Sequence, residues 1–332
     1  MPNDYGISGS TIFITGGAGF IGTRLASRLA DDNQVILFDN LHNNAYAHTA
    51  LDDHGNVRLV KGDVRDPAAL HDAMTPDVEY VVHCAAIAGV DTVIQNAPLT
   101  LEVNIQGVFN TLKAACELKN LKRYVDFSTS EVFGQHAYNV DEFTINPTVT
   151  IGEARWTYAV SKLAGEFISH AYHIERDIPS VIIRPFNIYG PNQVGVGAIH
   201  HFVVRAIKGE DLIIHDEGSQ IRAWCYIDDF VHGVLLAMAS EKAPGQSYNI
   251  GNPRSTVTVY NLARMTIDQA RSTSHIRFQR VNYQDVALRI PNITSAREDL
   301  GFEPAVELED GLQRTIRWYR QKLAREGVIP SQ

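Results

Sequence analysis

Cysteine is scarce in this 332-residue sequence: Cys84, Cys116 and Cys225 stand far apart, with no Cys-x-x-Cys pair. Isolated thiols exclude a disulfide scaffold and a multi-cysteine zinc site, and suit a reducing cytoplasm. Long apolar runs are missing too. None approaches the roughly 20 residues that cross a bilayer, so no membrane partner is expected. Nor is there a basic tract. Lys and Arg number 29 against 38 Asp and Glu, a net charge of −9, which speaks against general nucleic-acid binding. A few Arg in a pocket still suffice for an anion. The start, Met1-Pro2-Asn3-Asp4, lacks the basic and apolar segments of a secretory signal. His200-His201 and the His170/His173 pair have no apparent third ligand, so no metal is expected. What remains is an ordinary globular composition, 45% hydrophobic and 20% charged, of a length that suits two lobes or one large α/β body.

Short apolar runs alternate with helical patterns through the first half. Strands are expected at 11–15, 35–39, 57–60, 80–84 and 124–128. Most lack polar alternation, as strands of a parallel sheet covered on both faces do. Helical patterns lie between them at 20–30, 67–73, 99–118 and 156–176. This order predicts a doubly wound α/β domain. The second half is less regular, with strands at 181–184 and 247–250, helices at 198–208, 228–240 and 308–323, and a Gly- and Pro-rich stretch at 189–197. No clean linker separates two domains.

The run Thr15-Gly16-Gly17-Ala18-Gly19-Phe20-Ile21-Gly22 follows a strand and opens a helix. Gly16 suits the tight turn, Gly19 a close backbone approach to a pyrophosphate, and Gly22 close helix–sheet packing. Free N–H groups at the helix start then face the phosphates. Asp39 ends the second strand, and an acid there accepts from ribose hydroxyls and repels a 2′-phosphate, which favours NAD over NADP. Asp63 and Val64, after the third strand, are placed to border the adenine.

Tyr158 and Lys162 lie four residues apart, on one face of a helix. A Lys charge stabilises a phenolate and lowers its pKa toward that of a useful base. At the end of the fifth strand stand Ser128-Thr129-Ser130-Glu131. Ligands of open parallel sheets bind outside the carboxyl ends of strands. There Thr129 and Ser130 offer hydroxyls and Glu131 a general acid or base. A helix N-cap is the competing reading of that run.

Together with His83-Cys84-Ala85-Ala86, Asn104, Ser128–Gly134 and Arg184–Pro191, these motifs resemble the extended short-chain dehydrogenase/reductases that act on nucleotide sugars, the NAD-dependent epimerase/dehydratase family. The likeness runs from about Thr11 to Leu323. It implies a Rossmann-type doubly wound parallel sheet with a smaller C-terminal substrate-binding lobe. Residues 1–180 would bind NAD, rejoined by about 225–255, and 181–332 would mainly bind substrate. Implied cofactor contacts are Gly16, Gly19, Phe20, Ile21, Gly22, Asp39, Asn40, Asp63, Val64, Ala85, Ala86, Asn104, Tyr158, Lys162 and Pro185. By similarity, Tyr158 takes the sugar 4-hydroxyl proton while hydride leaves C4, Lys162 holds the nicotinamide ribose, and Thr129 bonds the same sugar oxygen. Arg222 and Arg289 would grip the substrate diphosphate, with Asn187 adding a donor. A homodimer through the helices near 99–118 and 156–176 is implied as well.

Three reactions branch from a C4 ketone. Ser130 and Glu131 resemble the hexose 4,6-dehydratases and the UDP-glucuronate decarboxylases, where simple 4-epimerases carry small residues. In the dehydratase reading Glu131 removes the C5 proton and Ser130 helps the C6 hydroxyl leave. Gly218–Asp229 resembles the decarboxylases, but Val160 and Ser161 depart from their Tyr-x-Glu-Gly-Lys pattern, and Asn192 stands where they carry Arg. The ranking from sequence is therefore dehydratase, then decarboxylase, then 4-epimerase. A regulatory protein that binds NAD without turnover is the alternative of another class, and such relatives commonly lose the Tyr or Lys.

Overall fold

A computed structural model describes residues 5–144, 153–195, 197–283 and 285–330. Met1–Asp4 and Val196 of the Gly- and Pro-rich stretch lie outside the described residues. The first half runs β1 (Thr11–Thr15), α1 (Phe20–Leu29), β2 (Gln34–Asp39), β3 (Val57–Lys61), α2 (Pro67–Ala73), β4 (Val78–His83), α3 (Val90–Gln95), α4 (Ala97–Leu101), α5 (Gly107–Ala115) and β5 (Arg123–Phe127). Next come β6 (His136–Val140), α6 (Thr157–Arg176), β7 (Ser180–Pro185), β8 (Ile188–Tyr189), α7 (Ala198–Lys208), β9 (Leu212–His215), β10 (Ile221–Ala223) and β11 (Cys225–Tyr226). The chain continues through α8 (Ile227–Ala239), β12 (Ser247–Ile250), β13 (Thr256–Thr258), α9 (Val259–Ala270), β14 (Ile276–Gln279), β15 (Leu288–Pro291), α10 (Thr294–Leu300) and α11 (Leu308–Arg325).

Seven parallel strands form the main sheet, in the order β12-β7-β5-β4-β1-β2-β3. Alternate side chains feed two separate cores. Ile12, Ile14, Val35, Leu37 and Val82 join one, while Phe13, Ile36, Phe38, Val81 and Tyr124 join the other. A sheet buried on both faces explains the unbroken apolar runs. The strand order reverses between β1 and β4, which opens a crevice at their carboxyl ends. Strand β12 adds to the far edge, beside β7.

A second, four-stranded sheet has the order β13-β10-β15-β6. It sets Arg222 of β10 opposite Arg289 of β15. Strand β6, which follows the Ser128–Glu131 turn, pairs β15 on its other side. Three chain segments thus converge on one place. The single helix expected over 99–118 is broken instead. Ala97–Leu101 and Gly107–Ala115 flank a π-helical turn, Glu102–Gln106, that contains Asn104. Among the described residues, no helix is long and apolar enough to cross a membrane.

Candidate active site

The glycine turn has little room for anything larger. Gly16 adopts φ +64°, and a Cβ there would stand 2.7 Å from the Ala85 nitrogen. A Cβ on Gly22 would stand 2.6 Å from the Gly16 carbonyl oxygen. Helix α1 starts at Phe20 with no side-chain cap and no acid in its first turn. The N–H groups of Phe20, Ile21 and Gly22 are therefore left for an anion, and the turn fits the pyrophosphate of NAD. The Asp39 carboxylate accepts from Ala18 N at 3.0 Å and Leu41 N at 2.7 Å. Burial raises its pKa, and those backbone bonds oppose the rise. With Gly19 as a third backbone donor, the carboxylate still keeps a lone pair for a ribose hydroxyl.

Other expected cofactor residues have local duties. Asp63 is clasped by Arg65 at 2.8 Å, and that bond holds its pKa low. Val64 is buried against the α5 start at Gly107. Asn40 is exposed and accepts from His42 N in a turn. Ala85, Ala86 and Pro185 are half-buried at the ends of β4 and β7. Asn104 corrects its expectation. It is fully buried, with its amide tied to Ile87 O at 3.1 Å and Ser161 Oγ at 2.9 Å, and its oxygen to Ile87 N at 2.8 Å. No donor is left for a cofactor, so Asn104 positions helix α6 against the loop after β4.

Tyr158 and Lys162 stand in the first two turns of α6. Lys162 is buried and donates to the Phe127 carbonyl at 2.5 Å. Burial lowers its pKa, opposed by Asp126, Cys84 and Glu166. The Tyr158 phenol is pushed up, first by burial and then by the charge of Glu131. A hydrogen bond with Thr129 and the charge of Arg289 act the other way. The direction is opposite to the lowering expected from Lys162, because loss of water outweighs nearby cations. Thr129 thus bonds Tyr158, while Glu131 and Arg289, bonded to each other, act on it through their charges.

Glu131 sits at the centre of an ionic cluster. Arg155 reaches it at 2.5 Å and Arg289 at 3.0 Å. Burial alone would raise the Glu131 pKa, but the charges of Arg289 and Arg155 draw it down to about 2. Asp285 lies 3.6 Å from Arg155 and 3.5 Å from Arg222. Three guanidiniums against two carboxylates leave one positive charge in excess. Arg155, three residues before Tyr158, and Asp285 were not singled out in the sequence. Their only signal there is proximity to Tyr158 and to Arg289.

The residues expected to grip a diphosphate are directed inward here. Arg289 bonds Glu131 and the Gly134 carbonyl, Arg222 bonds the Val286 carbonyl, and Asn187 donates to the Ala223 carbonyl at 2.8 Å. Ser130 is buried beside Glu131. Behind the turn, Arg184 holds Glu166 through two bonds of 2.8 and 2.7 Å, and Ser128 donates to the same carboxylate. This buried pair fastens α6 to β7 and the Ser128–Glu131 turn, and was not foreseen.

The two departures from the decarboxylase pattern lie away from the cluster. Val160 is 45% exposed. Ser161 bonds Asn104 and the Tyr158 carbonyl. Asn192 donates to the Ala45 carbonyl at 2.9 Å.

The profile of the NAD dependent epimerase/dehydratase family matches residues 12–251. The chain is 32% identical over 319 residues to the UDP-N-acetyl-alpha-D-glucosaminuronate decarboxylase of Bacillus cytotoxicus, covering 93% of this chain and 97% of that protein. Among solved structures it resembles the UDP-glucuronic acid 4-epimerase of Bacillus cereus, in complex with UDP-glucuronic acid and NAD (TM-score 0.85, 28% identity, 94% and 99% of the two chains). It also resembles the dTDP-glucose 4,6-dehydratase DesIV of Streptomyces venezuelae with NAD bound (TM-score 0.85, 27% identity, 95% and 98%). The glycine turn, the Rossmann sheet and these likenesses lead to one conclusion: this chain belongs to the NAD-dependent epimerase/dehydratase family and is an enzyme that uses NAD.

Proposed function

We propose that this enzyme acts on a nucleotide-diphosphate sugar and that its reaction is decarboxylation of a UDP-hexuronate through transient oxidation at sugar C4. The observation that carries the reading is Glu131, ionised between Arg155 and Arg289 beside Tyr158. A carboxylate with a pKa near 2 is a weak base for the C5 proton and has no proton to give a departing C6 hydroxyl. Ser130 is an ordinary alcohol and a poor acid. The 4,6-dehydratase reading thus lacks its acid. A C6 carboxylate, in contrast, matches the excess positive charge of the cluster, and its loss needs no base at C5. The uronate decarboxylase relative supports the same choice, so the ranking drawn from sequence is revised.

NAD, when bound, would supply a hydride acceptor for C4 and later a hydride donor. Tyr158 takes the 4-hydroxyl proton, its phenolate favoured by the Thr129 bond and the charge of Arg289 against the burial that opposes it, and Thr129 orients the same oxygen. Lys162 holds the nicotinamide ribose. Arg155 and Arg289 hold the C6 carboxylate. The C5–C6 bond breaks, carbon dioxide leaves, the carbonyl at C4 accepts the electron pair, and a proton returns to C5. A 4-epimerase acting on the same uronate would share this grip, and it differs in keeping the carboxylate.

The sugar nucleotide extends from this cluster into an adjoining cavity of about 880 Å³, bordered by Asp285, Gln135, Tyr283 and Phe278. Arg222 and Asn187 can grip the diphosphate only if their bonds to Val286 and Ala223 open on binding. The part comprising residues 1–180, rejoined by about 225–255, holds NAD, and residues 181–332 mainly hold substrate. The subunits pair as a homodimer through α5 and α6. Val160, Phe167 and Ile174 form an outer stripe at seven-residue spacing, 45%, 71% and 65% exposed, and Phe109 of α5 is 39% exposed. A reducing cytoplasm suits the three free thiols.

Purified protein is predicted to release carbon dioxide from UDP-glucuronate. Tyr158→Phe is predicted to abolish release while NAD stays bound. Unchanged turnover in that variant would reject the mechanism.

A further inference from the structure

We propose a second anion site, separate from the catalytic cluster, that takes a small molecule carrying clustered phosphates. A groove of about 790 Å³ runs between the end of α9 and the second half of α11. Arg271, Arg317, Arg320 and Arg325 line it, over an apolar floor that includes Ile316 and Ile329. Arg317, Arg320 and Ala324 share one face of α11 at helical spacing. Arg271 enters from the other helix, in a left-handed conformation with φ +48°.

Their convergence on one groove sets these side chains apart. Some surface arginines meet carboxylates, as Arg24 does Asp228, Arg254 Glu303, Arg277 Asp211 and Arg314 Asp310. Among the described residues, none of the four groove arginines has a carboxylate within ion-pair distance. Capping explains part of the cluster, since Arg320 donates to the Ala270 carbonyl at the end of α9 and Arg325 to the Gln321 carbonyl. It does not explain Arg271 and Arg317, whose guanidiniums have no hydrogen-bond partner among the described residues. Four like charges along one groove repel one another, and this repulsion falls when an anion enters. Guanidinium forks match phosphate oxygens in pairs, so a ligand with two or more phosphate groups satisfies the set best. None of the groove residues belongs to the catalytic cluster or to the glycine turn.

The test titrates inorganic triphosphate calorimetrically into NAD-loaded protein saturated with UDP, which fills the phosphate subsites of the catalytic cleft. Saturable binding is expected. The double variant Arg271→Asn/Arg317→Gln should weaken it about tenfold or more, as loss of charged hydrogen bonds does. Asn tolerates the left-handed backbone at position 271. The melting temperature without triphosphate, and sugar turnover, should stay unchanged. Co-sedimentation with phosphatidylglycerol vesicles, lost in the same variant, would support the site and identify the phosphates as lipid headgroups. Equal triphosphate binding in the double variant, or no binding of either probe to the parent protein, would overturn the proposal.

Discussion

The Arg289 guanidinium meets the Glu131 carboxylate at 3.0 Å, joining residues 158 positions apart in the chain. The contact exists because β15 and β6 pair, and β6 follows the Ser128–Glu131 turn directly. It brings charge from the second sheet to the turn that follows β5. The charges of Arg289 and then Arg155 thereby draw the Glu131 pKa down.

Arg155 completes that cluster, and its removal tests the carboxylate grip. Arg155→Ala should weaken UDP-glucuronate binding about tenfold to a hundredfold, the range for a lost charged contact. Binding of UDP-glucose, which has no C6 carboxylate, should change little, and NAD should stay bound. Calorimetry with both sugar nucleotides makes the comparison. Equal losses for the two would mean that Arg155 serves the fold and not the substrate.

The glycine turn predicts a cofactor defect without a chemical one. Gly22→Ala places a Cβ 2.6 Å from the Gly16 carbonyl oxygen, so the turn must shift. Fluorescence titration should find NAD affinity reduced about tenfold or more, since pyrophosphate binding depends on close backbone approach. Unaltered affinity would contradict the placement of the pyrophosphate.

Much of this was legible in the sequence because its signals are local. Gly16, Gly19 and Gly22 declare themselves by strand–turn–helix context, and the parallel strands by unbroken apolar runs. Tyr158 and Lys162 needed only helical spacing. Glu131, Arg222 and Arg289 were named from the resemblance, but their ion pairs were not legible, because the members come from four separate segments. Arg155 precedes α6 on a short turn, and Asp285 sits in a loop with no periodicity. The four strands of the second sheet are three to five residues long, too short for a pattern to declare them. Asn104 read as a ligand contact because its burial depends on a π-helical turn.

Acid should unfold this protein by way of His83. Burial, and then the charge of Lys162, hold its pKa down to about 3, against an ordinary 6.5. Its ring shares a 2.8 Å hydrogen bond with Thr15. Below pH 6.5 the unfolded chain takes up a proton that the folded chain refuses, so stability is full above 6.5 and falls as pH drops toward 3. Denaturant midpoints measured across that window should decline, and His83→Asn should flatten the slope. An identical slope in the variant would assign the acid sensitivity to other groups.

The stripe on α6 predicts an oligomer that charge breaks. Phe167→Asp adds a carboxylate to a surface now 71% exposed in the single chain. Light scattering should find the parent as a dimer and the variant as a folded monomer. Two equal dimers, or two monomers, would rule out this face.

The reaction itself is tested most directly by mass spectrometry of UDP-glucuronate turned over in heavy water. The cluster around Glu131 predicts a product that has lost carbon dioxide and gained one solvent deuterium at C5. A product that retains its carboxylate, whether dehydrated or merely inverted at C4, would contradict the decarboxylase account.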